Sequence, residues 1–185
     1  MLSQCAGVAA RQFSERLSNI VFTMHRMSNK NMRLELKKLS DRDPKIESND
    51  VALLRFTVGD EAWVGRLKER EDGPTESYEY DEDAVLGLTR LDADQLSIRL
   101  LEESPYTPIE TLTSMTKALH LRVYPNATGK WIFCKWESQS WPLPSKLTGT
   151  TIRVVQALGS RLTKSEIILD GSAIGQIYFS ARKAA

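Results

Sequence analysis

Short runs in which apolar and polar residues alternate recur along most of the chain beyond residue 30. The run Met32–Lys37 alternates aliphatic with charged side chains, and residues 96–100 alternate aliphatic with polar ones. Because successive side chains of a strand point to opposite faces, each run predicts a half-buried β-strand. Similar or continuously apolar runs predict further strands at Val51–Val58, Ala62–Leu67, Val85–Thr89, Leu119–Val123, Trp131–Trp136, Thr150–Val155, Glu166–Leu169 and Ile174–Phe179.

The N-terminal segment has a helical period instead. Its apolar residues from Phe13 to Met27 recur mostly at intervals of three or four, which places them on one face of an amphipathic helix. A second, shorter helix is predicted at Thr111–Leu119, where three threonines weaken the helical preference. We therefore divide the chain into a basic amphipathic helix or arm, residues 1–30, and a β-rich domain, residues 31–185.

Regularly punctuated short strands without long helices between them predict a mainly β fold. The expected architecture is a single-domain antiparallel sandwich, jelly roll or barrel of about eight strands with an N-terminal amphipathic helix. An α+β fold is the alternative. With 185 residues, of which 41% are hydrophobic, the chain is long enough to bury one sizeable core. No apolar run approaches the roughly 18 residues that cross a bilayer, so no transmembrane segment is expected.

The cysteine count and the N-terminal composition bear on the compartment. Cys5 and Cys134 are too few for a disulfide framework and indicate an intracellular, reducing environment. The first 30 residues are basic and amphipathic and contain one acid, which is also typical of a mitochondrial presequence. Mitochondrial targeting therefore stays open beside a structural helix and a nucleic-acid-binding arm.

Motifs that carry chemistry are scarce. The two histidines, His25 on the predicted helix and His120 in a predicted strand, have no Cys or His partner at metal-ligand spacing and are typical of structural residues. The acidic stretch Glu69–Asp83 lacks the ligand pattern of a calcium loop, so a solvated loop is predicted. Gly-x-Ser-x-Gly and glycine-rich phosphate motifs are missing as well. We expect no catalytic residues, no metal and no cofactor.

Charge is distributed unevenly, although the whole chain carries a net charge of only +1. Residues 1–40 carry a net +5, residues 41–110 a net −11 and residues 111–185 a net +7. Such asymmetry indicates nucleic-acid contact or complementary self-association, unless folding interleaves the segments.

One basic segment is also rich in tryptophan. Residues 130–136 contain two tryptophans, two lysines and one phenylalanine, and the segment continues to Trp141 and Lys146. Aromatic faces stack on unpaired bases while lysines neutralise phosphates, so the composition suits single-stranded nucleic acid. Core packing of an apolar strand is the competing interpretation. Trp141, in a predicted loop, is the stronger candidate for an exposed aromatic.

These patterns together predict a non-enzymatic, self-associating β-rich protein that binds RNA, single-stranded DNA or another anionic partner, such as a viral coat or matrix-like structural protein. Two alternatives remain: a protein–protein interaction module or accessory subunit, with a mitochondrial location open, and an enzyme with dispersed catalytic residues. The expected nucleic-acid contacts are Arg11, Arg16, Arg26, Lys30, Arg33, Lys130, Lys135, Trp141, Lys146, Arg182 and Lys183.

Overall fold

The computed structural model describes residues 2–13, 16–28, 30–39, 45–74, 81–127, 129–159 and 161–182. These ranges contain helices and strands in the following chain order: α1 (Leu2–Phe13), β1 (Leu17–Met24), β2 (Lys30–Lys38), β3 (Asp50–Val58), β4 (Glu61–Pro74), α2 (Glu82–Gly87), β5 (Thr89–Asp92), β6 (Ser97–Leu100), α3 (Pro108–Val123), β7 (Lys130–Trp141), β8 (Thr151–Leu158), β9 (Leu162–Leu169) and β10 (Ser172–Arg182). No helix in the described ranges is both long and apolar enough to cross a membrane.

Residue contacts divide the chain into two compact units, and strand β7 contributes to both. The first unit comprises Met1–Glu79 and Lys135–Pro142, and the second comprises Tyr80–Cys134 and Leu143–Ala185. The strands are hydrogen-bonded in the order β2-β4-β3-β1-β7-β10-β9-β8-β6-β5, which makes a large antiparallel sheet of ten strands. The mainly β prediction is therefore confirmed. The predicted sandwich or barrel of about eight strands is not.

In the first unit, α1 packs against the apolar face formed by β1, β3 and β4. The Phe13 ring lies 5.8 Å from the ring of Phe56 and 4.6 Å from that of Trp63. Ile20 and Phe22 of β1 are 1% exposed, so the same strand face carries the core. Burial of side chains of this size contributes about 1.5–3 kcal/mol each, which makes this face the main source of stability in the unit.

Gly65 is approached closely by two leucine side chains inside this face. A Cβ atom on Gly65 would lie 2.8 Å from Cδ1 of Leu34 and 3.0 Å from Cδ2 of Leu36. Both leucines belong to β2, whose residue Leu36 pairs with Gly65 across the ladder. The ends of both leucine side chains would therefore have to shift to accommodate a larger residue at position 65.

In the second unit, the long helix α3 has strong local start signals. The Thr107 hydroxyl accepts from the backbone N–H of Glu110 at 3.4 Å, and the Glu110 carboxylate accepts from the backbone N–H of Thr107 at 2.9 Å. This reciprocal capping box is followed by Pro108 in the first turn, where its missing N–H costs nothing. The start of α3 is therefore encoded in its first four residues.

The predicted helix from Phe13 to Met27 is wrong, because Leu17–Met24 forms strand β1. The error has a structural cause: β1 carries an extra residue between Ser18 and Val21 relative to β3. Asn19, with a φ of 50°, lies at this bulge. The bulge brings residues 17 and 20 to the same face and so produces an interval of three that mimics a helix.

The predicted strand at Leu119–Val123 is also wrong, since α3 continues through Val123. Apolar residues alternate here by coincidence: Leu119 is fully buried whereas Leu121 is 58% exposed. The helical neighbours of Leu119 at Leu112 and Met115 are buried instead, as a helix of period 3.6 requires. His120 consequently lies on a helix and not on a strand, and His25 lies directly after β1 and not on a helix.

Candidate functional site

The interior of the second unit is unusually polar where α3 faces β9. A core of this size normally consists of aliphatic and aromatic side chains, and buried hydroxyl groups need partners to offset their lost hydration. On these two elements the structure buries Thr111, Ser114, Thr116, His120, Thr163 and Ser165. This concentration of polar side chains in one core is the first indication of a site.

At its centre, His120 links α3 to β9 through both ring nitrogens. Its Nδ1 lies 2.6 Å from the carbonyl oxygen of Thr116, one helical turn earlier. A carbonyl can only accept, so Nδ1 carries the proton and Nε2 presents its lone pair. The Thr163 hydroxyl then donates to Nε2 in a short hydrogen bond. The result is a chain of hydrogen bonds from hydroxyl to imidazole to backbone carbonyl.

Aromatic rings enclose the imidazole of His120. The Phe179 ring is stacked on it at 5.3 Å with an interplanar angle of 20°, and the Trp131 ring lies 4.5 Å away. Burial lowers the pKa of His120 below its ordinary value, because the cation would lose its hydration, although the hydrogen bond to Thr116 acts in the opposite direction. The imidazole is therefore neutral at pH 7, which leaves Nε2 able to take a proton.

This arrangement has the components of an activated nucleophile. A hydroxyl hydrogen-bonds to a base, and a third group holds the base in the correct tautomer. Thr163 supplies the hydroxyl, His120 the base and the Thr116 carbonyl the orienting group. His120 is 0% exposed and Thr163 1% exposed, so both are closed off from solvent. Tyr124, whose ring lies 5.6 Å from the ring of Trp131, is half-buried at the edge of the cluster.

Several buried polar atoms make no hydrogen bond to any described residue. In the second unit they are Nε1 of Trp131, Oγ1 of Thr150, Oγ of Ser165 and Oγ of Ser180. Ser165 follows Thr163 by two positions on β9 and therefore shares its face. Most buried polar groups in proteins are paired, so the unpaired atoms next to the reacting residues, Oγ of Ser165 and Nε1 of Trp131, stand out. Within the described ranges no three His, Cys, Asp or Glu side chains lie close enough to hold a metal ion.

Several of the predicted nucleic-acid contacts are paired with acids. Arg26 approaches Glu69 at 2.6 Å and Lys30 approaches the same carboxylate at 3.8 Å. Hydrogen bonds from Arg26 and then Ser28 lower the pKa of Glu69 to about 2. Two further pairs join Arg33 to Glu35 at 3.1 Å and Lys135 to Glu137 at 2.5 Å. The structure thus gathers Arg26 and Lys30 around one acid.

The remaining predicted contacts are dispersed. Arg16 donates to the Ser140 hydroxyl at 3.1 Å. Lys183 lies outside the described residues, and four others are exposed, namely Arg11, Lys130, Lys146 and Arg182.

Trp141 is 9% exposed, so the expectation of an exposed aromatic is wrong. The cause is the pairing of β7 with β1. Gln139 lies opposite Asn19, between the pairs Ser140–Ser18 and Ser138–Ile20, and is exposed like Asn19. The alternation of buried and exposed side chains along β7 shifts by one position at Gln139. Trp141, paired with Leu17, therefore lies on the buried face.

Sequence reasoning missed Thr163 and Ser165 and treated His120 as structural. A usable signal existed on β9, because the charges of Lys164 and Glu166 mark the opposite face as the exposed one. For His120 the signal was its spacing of four and five residues from Thr116 and Met115, which places all three on one side of a helix.

Comparisons with known proteins identify this fold. Neither a family profile nor a curated protein matches the sequence. The tesB protein MAP1729c of Mycobacterium avium subsp. paratuberculosis matches over 98% of this chain and 85% of its own, with 10% identity and a TM-score of 0.50. A candidate thioesterase from Novosphingobium aromaticivorans DSM 12444 matches over 100% and 86%, with 9% identity and a TM-score of 0.50. The chain shares the hotdog-like fold of these structures.

A third structure, the acyl-CoA thioesterase II TesB2 of Mycobacterium marinum, covers 97% of this chain and 89% of its own, with 11% identity and a TM-score of 0.45.

The hotdog-like fold overturns the predicted function. Its solved examples are named as enzymes, whereas a non-enzymatic, RNA-binding structural protein of the coat or matrix type with a jelly roll was expected.

Proposed function

We propose that the protein is an enzyme that hydrolyses thioesters, with Thr163 and His120 as its reacting pair. The observation that carries the proposal is the hydrogen-bond chain from the Thr163 hydroxyl through His120 to the Thr116 carbonyl. The names of the structures with this fold supply the substrate class.

In the first step the Thr163 oxygen attacks the thioester carbonyl carbon while its proton moves to Nε2 of His120. The tetrahedral intermediate collapses, the carbon–sulfur bond breaks and the departing sulfur takes the proton from Nε2. The acyl group is then esterified to Thr163 and the thiol leaves. A neutral imidazole is required at the start, and burial of His120 provides it.

In the second step water attacks the acyl ester. Its proton moves to Nε2 of His120, the bond between the acyl carbon and the Thr163 oxygen breaks, and that oxygen recovers the proton. The products are a carboxylic acid and the free threonine, so the complete reaction consumes one thioester and one water. Throughout, Nδ1 keeps its proton and donates it in the hydrogen bond to the Thr116 carbonyl, which holds the ring in place.

Two unpaired donors are the candidates for holding the substrate carbonyl oxygen in this proposal. The Ser165 hydroxyl lies on the same face of β9 as Thr163, and Nε1 belongs to Trp131, whose ring touches that of His120. A donor aimed at the developing oxyanion is among the largest contributions to such reactions.

The test replaces Thr163 by valine, which keeps the shape of the side chain and removes its hydroxyl. We expect the Thr163→Val protein to lose thioester hydrolysis by about 10³-fold or more, whereas Thr163→Ser retains activity. Hydrolysis is followed by loss of the thioester absorbance across acyl-CoA substrates of increasing chain length. Thr150→Val is the matched control, since it removes another buried, unpaired hydroxyl from the same unit.

The proposal fails if the wild-type protein hydrolyses none of these thioesters. It also fails if folded Thr163→Val protein, checked by circular dichroism, hydrolyses them at the wild-type rate. A His120→Gln variant separates chemistry from folding, because its remaining activity should no longer follow the ionisation of an imidazole in a pH profile.

A further inference from the structure

Strand β2 ends the sheet on one side, and none of the described strands pairs with its outer edge. It has nine residues, whereas β5, the strand at the other end of the sheet, has four. The N–H and C=O groups along such an edge are a template for pairing with another strand. The edge of β2 is therefore long enough to offer a partner strand a ladder of main-chain hydrogen bonds.

One face of β2 is apolar and incompletely covered. Met32, Leu34 and Leu36 alternate on this face, and all three are half-buried. Leu67 of β4, which pairs with Leu34, is 0% exposed, so the burial of this face becomes incomplete at the last strand. A strand added beside β2 with apolar side chains on the same face would cover these three residues.

The opposite face of β2 carries exposed charges of both signs. The side chains of Arg33 and Glu35 are 56% and 43% exposed and lie 3.1 Å apart within the strand. Glu35 also contacts Lys68 of β4 at 3.0 Å. Ion pairs at the surface contribute little, and both side chains remain accessible to a charge on a neighbouring strand.

The strand is complementary to itself. In antiparallel pairing about a twofold axis at Leu34, its central residue, every residue of β2 has a partner on the second copy. Leu34 then faces Leu34, Met32 faces Leu36, and Arg33 faces Glu35 of the other copy. Because directly opposite residues share a face, apolar side chains meet apolar ones and each of these cations meets an acid.

Other positions of the axis lose this match. An axis at Glu35 would place the two Glu35 carboxylates opposite each other and Arg33 opposite Lys37. An axis at Leu36 would leave residues 30–33 of both copies without a partner on the other strand. The axis at Leu34 is therefore the one that uses the whole strand and pairs opposite charges.

The ends of the ladder bring two lysines together, and each lysine has its own acid. In the Leu34 register Lys30 faces Lys38 of the other copy. Lys30 lies 3.8 Å from Glu69 and Lys38 lies 2.5 Å from Glu61, which offsets the repulsion between them.

We infer that β2 is the interface of a homodimer, in which the β2 strands of two copies pair antiparallel about Leu34. Both copies use the same surface, so the contact closes on itself and gives a dimer, not a filament. The inference concerns β2 alone and does not depend on thioester hydrolysis at Thr163.

The first test measures the mass of the full-length protein by analytical ultracentrifugation over a range of concentrations. We expect an equilibrium between monomer and dimer. Arg33→Glu should raise the dimer dissociation constant by about tenfold or more, because it places carboxylates opposite each other on both sides of the axis. Restoring opposite charges in the double variant Arg33→Glu, Glu35→Arg should return the constant close to its wild-type value.

Lys37→Glu is the matched control for this charge reversal. It makes the same change of charge on the same face of β2, but Lys37 faces Asn31 and not an acid in the Leu34 register. Its dissociation constant should therefore differ from that of the wild type by less than about threefold.

The second test identifies the register by disulfide formation in a Cys134→Ser protein, where the remaining Cys5 is buried. Leu34→Cys should give a covalent dimer on mild oxidation, because opposite residues have Cα atoms about 4.5–5.5 Å apart, within the range of a disulfide. Leu36→Cys is the matched control on the same face. It faces Met32 and lies roughly 14 Å from its own counterpart, so it should not cross-link.

A wild-type protein that stays monomeric at every concentration would overturn the inference and leave the edge of β2 to solvent or to another protein. A dimer whose dissociation constant is unchanged in Arg33→Glu would overturn it as well, and so would cross-linking of Leu36→Cys without that of Leu34→Cys. Circular dichroism checks that each variant is folded, and the cross-linking test stands by itself if Arg33→Glu does not fold.

Discussion

At the scale of single residues, burial of His120 couples stability to pH. Its folded pKa lies below the ordinary value of 6.5 because burial disfavours the cation. The unfolded chain therefore binds a proton at His120 more readily than the folded chain does. The stability that the neutral, buried His120 contributes is complete above about pH 6.5 and is lost as the pH falls through the folded pKa. Urea unfolding between pH 5 and 8 should show stability falling on the acid side. His120→Gln should reduce this slope, and an unchanged slope would contradict the assignment.

Burial also determines the reactivity of Cys5. It raises the pKa of the Cys5 thiol to about 11, so the thiolate that reacts with alkylating agents is scarce at pH 8. In a Cys134→Ser protein, which isolates Cys5, iodoacetamide should label the native state far more slowly than the urea-unfolded state. Mass spectrometry of timed samples measures both rates. Equal rates would show that Cys5 is accessible and ionised in the folded chain.

At the scale of elements, the β2–β4 contact predicts an asymmetry between two glycines. Gly65→Ala would force the new Cβ against Leu34 and Leu36 and should destabilise the protein by about 1–3 kcal/mol. Gly87→Ala is the matched control, because a Cβ on Gly87 meets nothing within 4 Å. It should be neutral or stabilising, since it restricts the unfolded chain. Thermal unfolding ranks the two variants, and a Gly65→Ala protein as stable as Gly87→Ala would refute the packing argument.

The elements also show which strands the alternation of apolar and polar residues predicts and which it does not. Strands β2 and β3 contain the predicted Met32–Lys37 and Val51–Val58. In β2 aliphatic and charged residues alternate along a partly exposed strand, and β3 is a mostly buried apolar run. β1 was missed because its bulge breaks the period of two.

The site was missed for a different reason. His120 and Thr163 are separated by 43 positions, and local periodicity contains no information about such a pair. Identity of about 10% to structures with the same fold likewise leaves no motif to recognise.

At the scale of the whole molecule, folding neutralises the charge blocks of the sequence. The first unit combines 14 basic with 14 acidic residues and the second 11 with 10. Neither unit therefore carries the net positive charge that non-specific nucleic-acid binding requires. We expect the protein to pass through a heparin column at about 0.15 M salt. Retention that weakens steeply with added salt would contradict this expectation.

The bulge of β1 has a consequence for how this chain can change in length. Asn19 is an extra residue relative to β3, and Gln139 faces it on β7. Loss of Asn19 alone would leave Leu17 one step out of line with Trp141, because a slip of one residue exchanges the faces of a strand. Loss of Gln139 as well would realign all three strands. The two positions are thus a linked pair: a deletion at one is compensated by a deletion 120 residues away, and sequences that lack one should lack both.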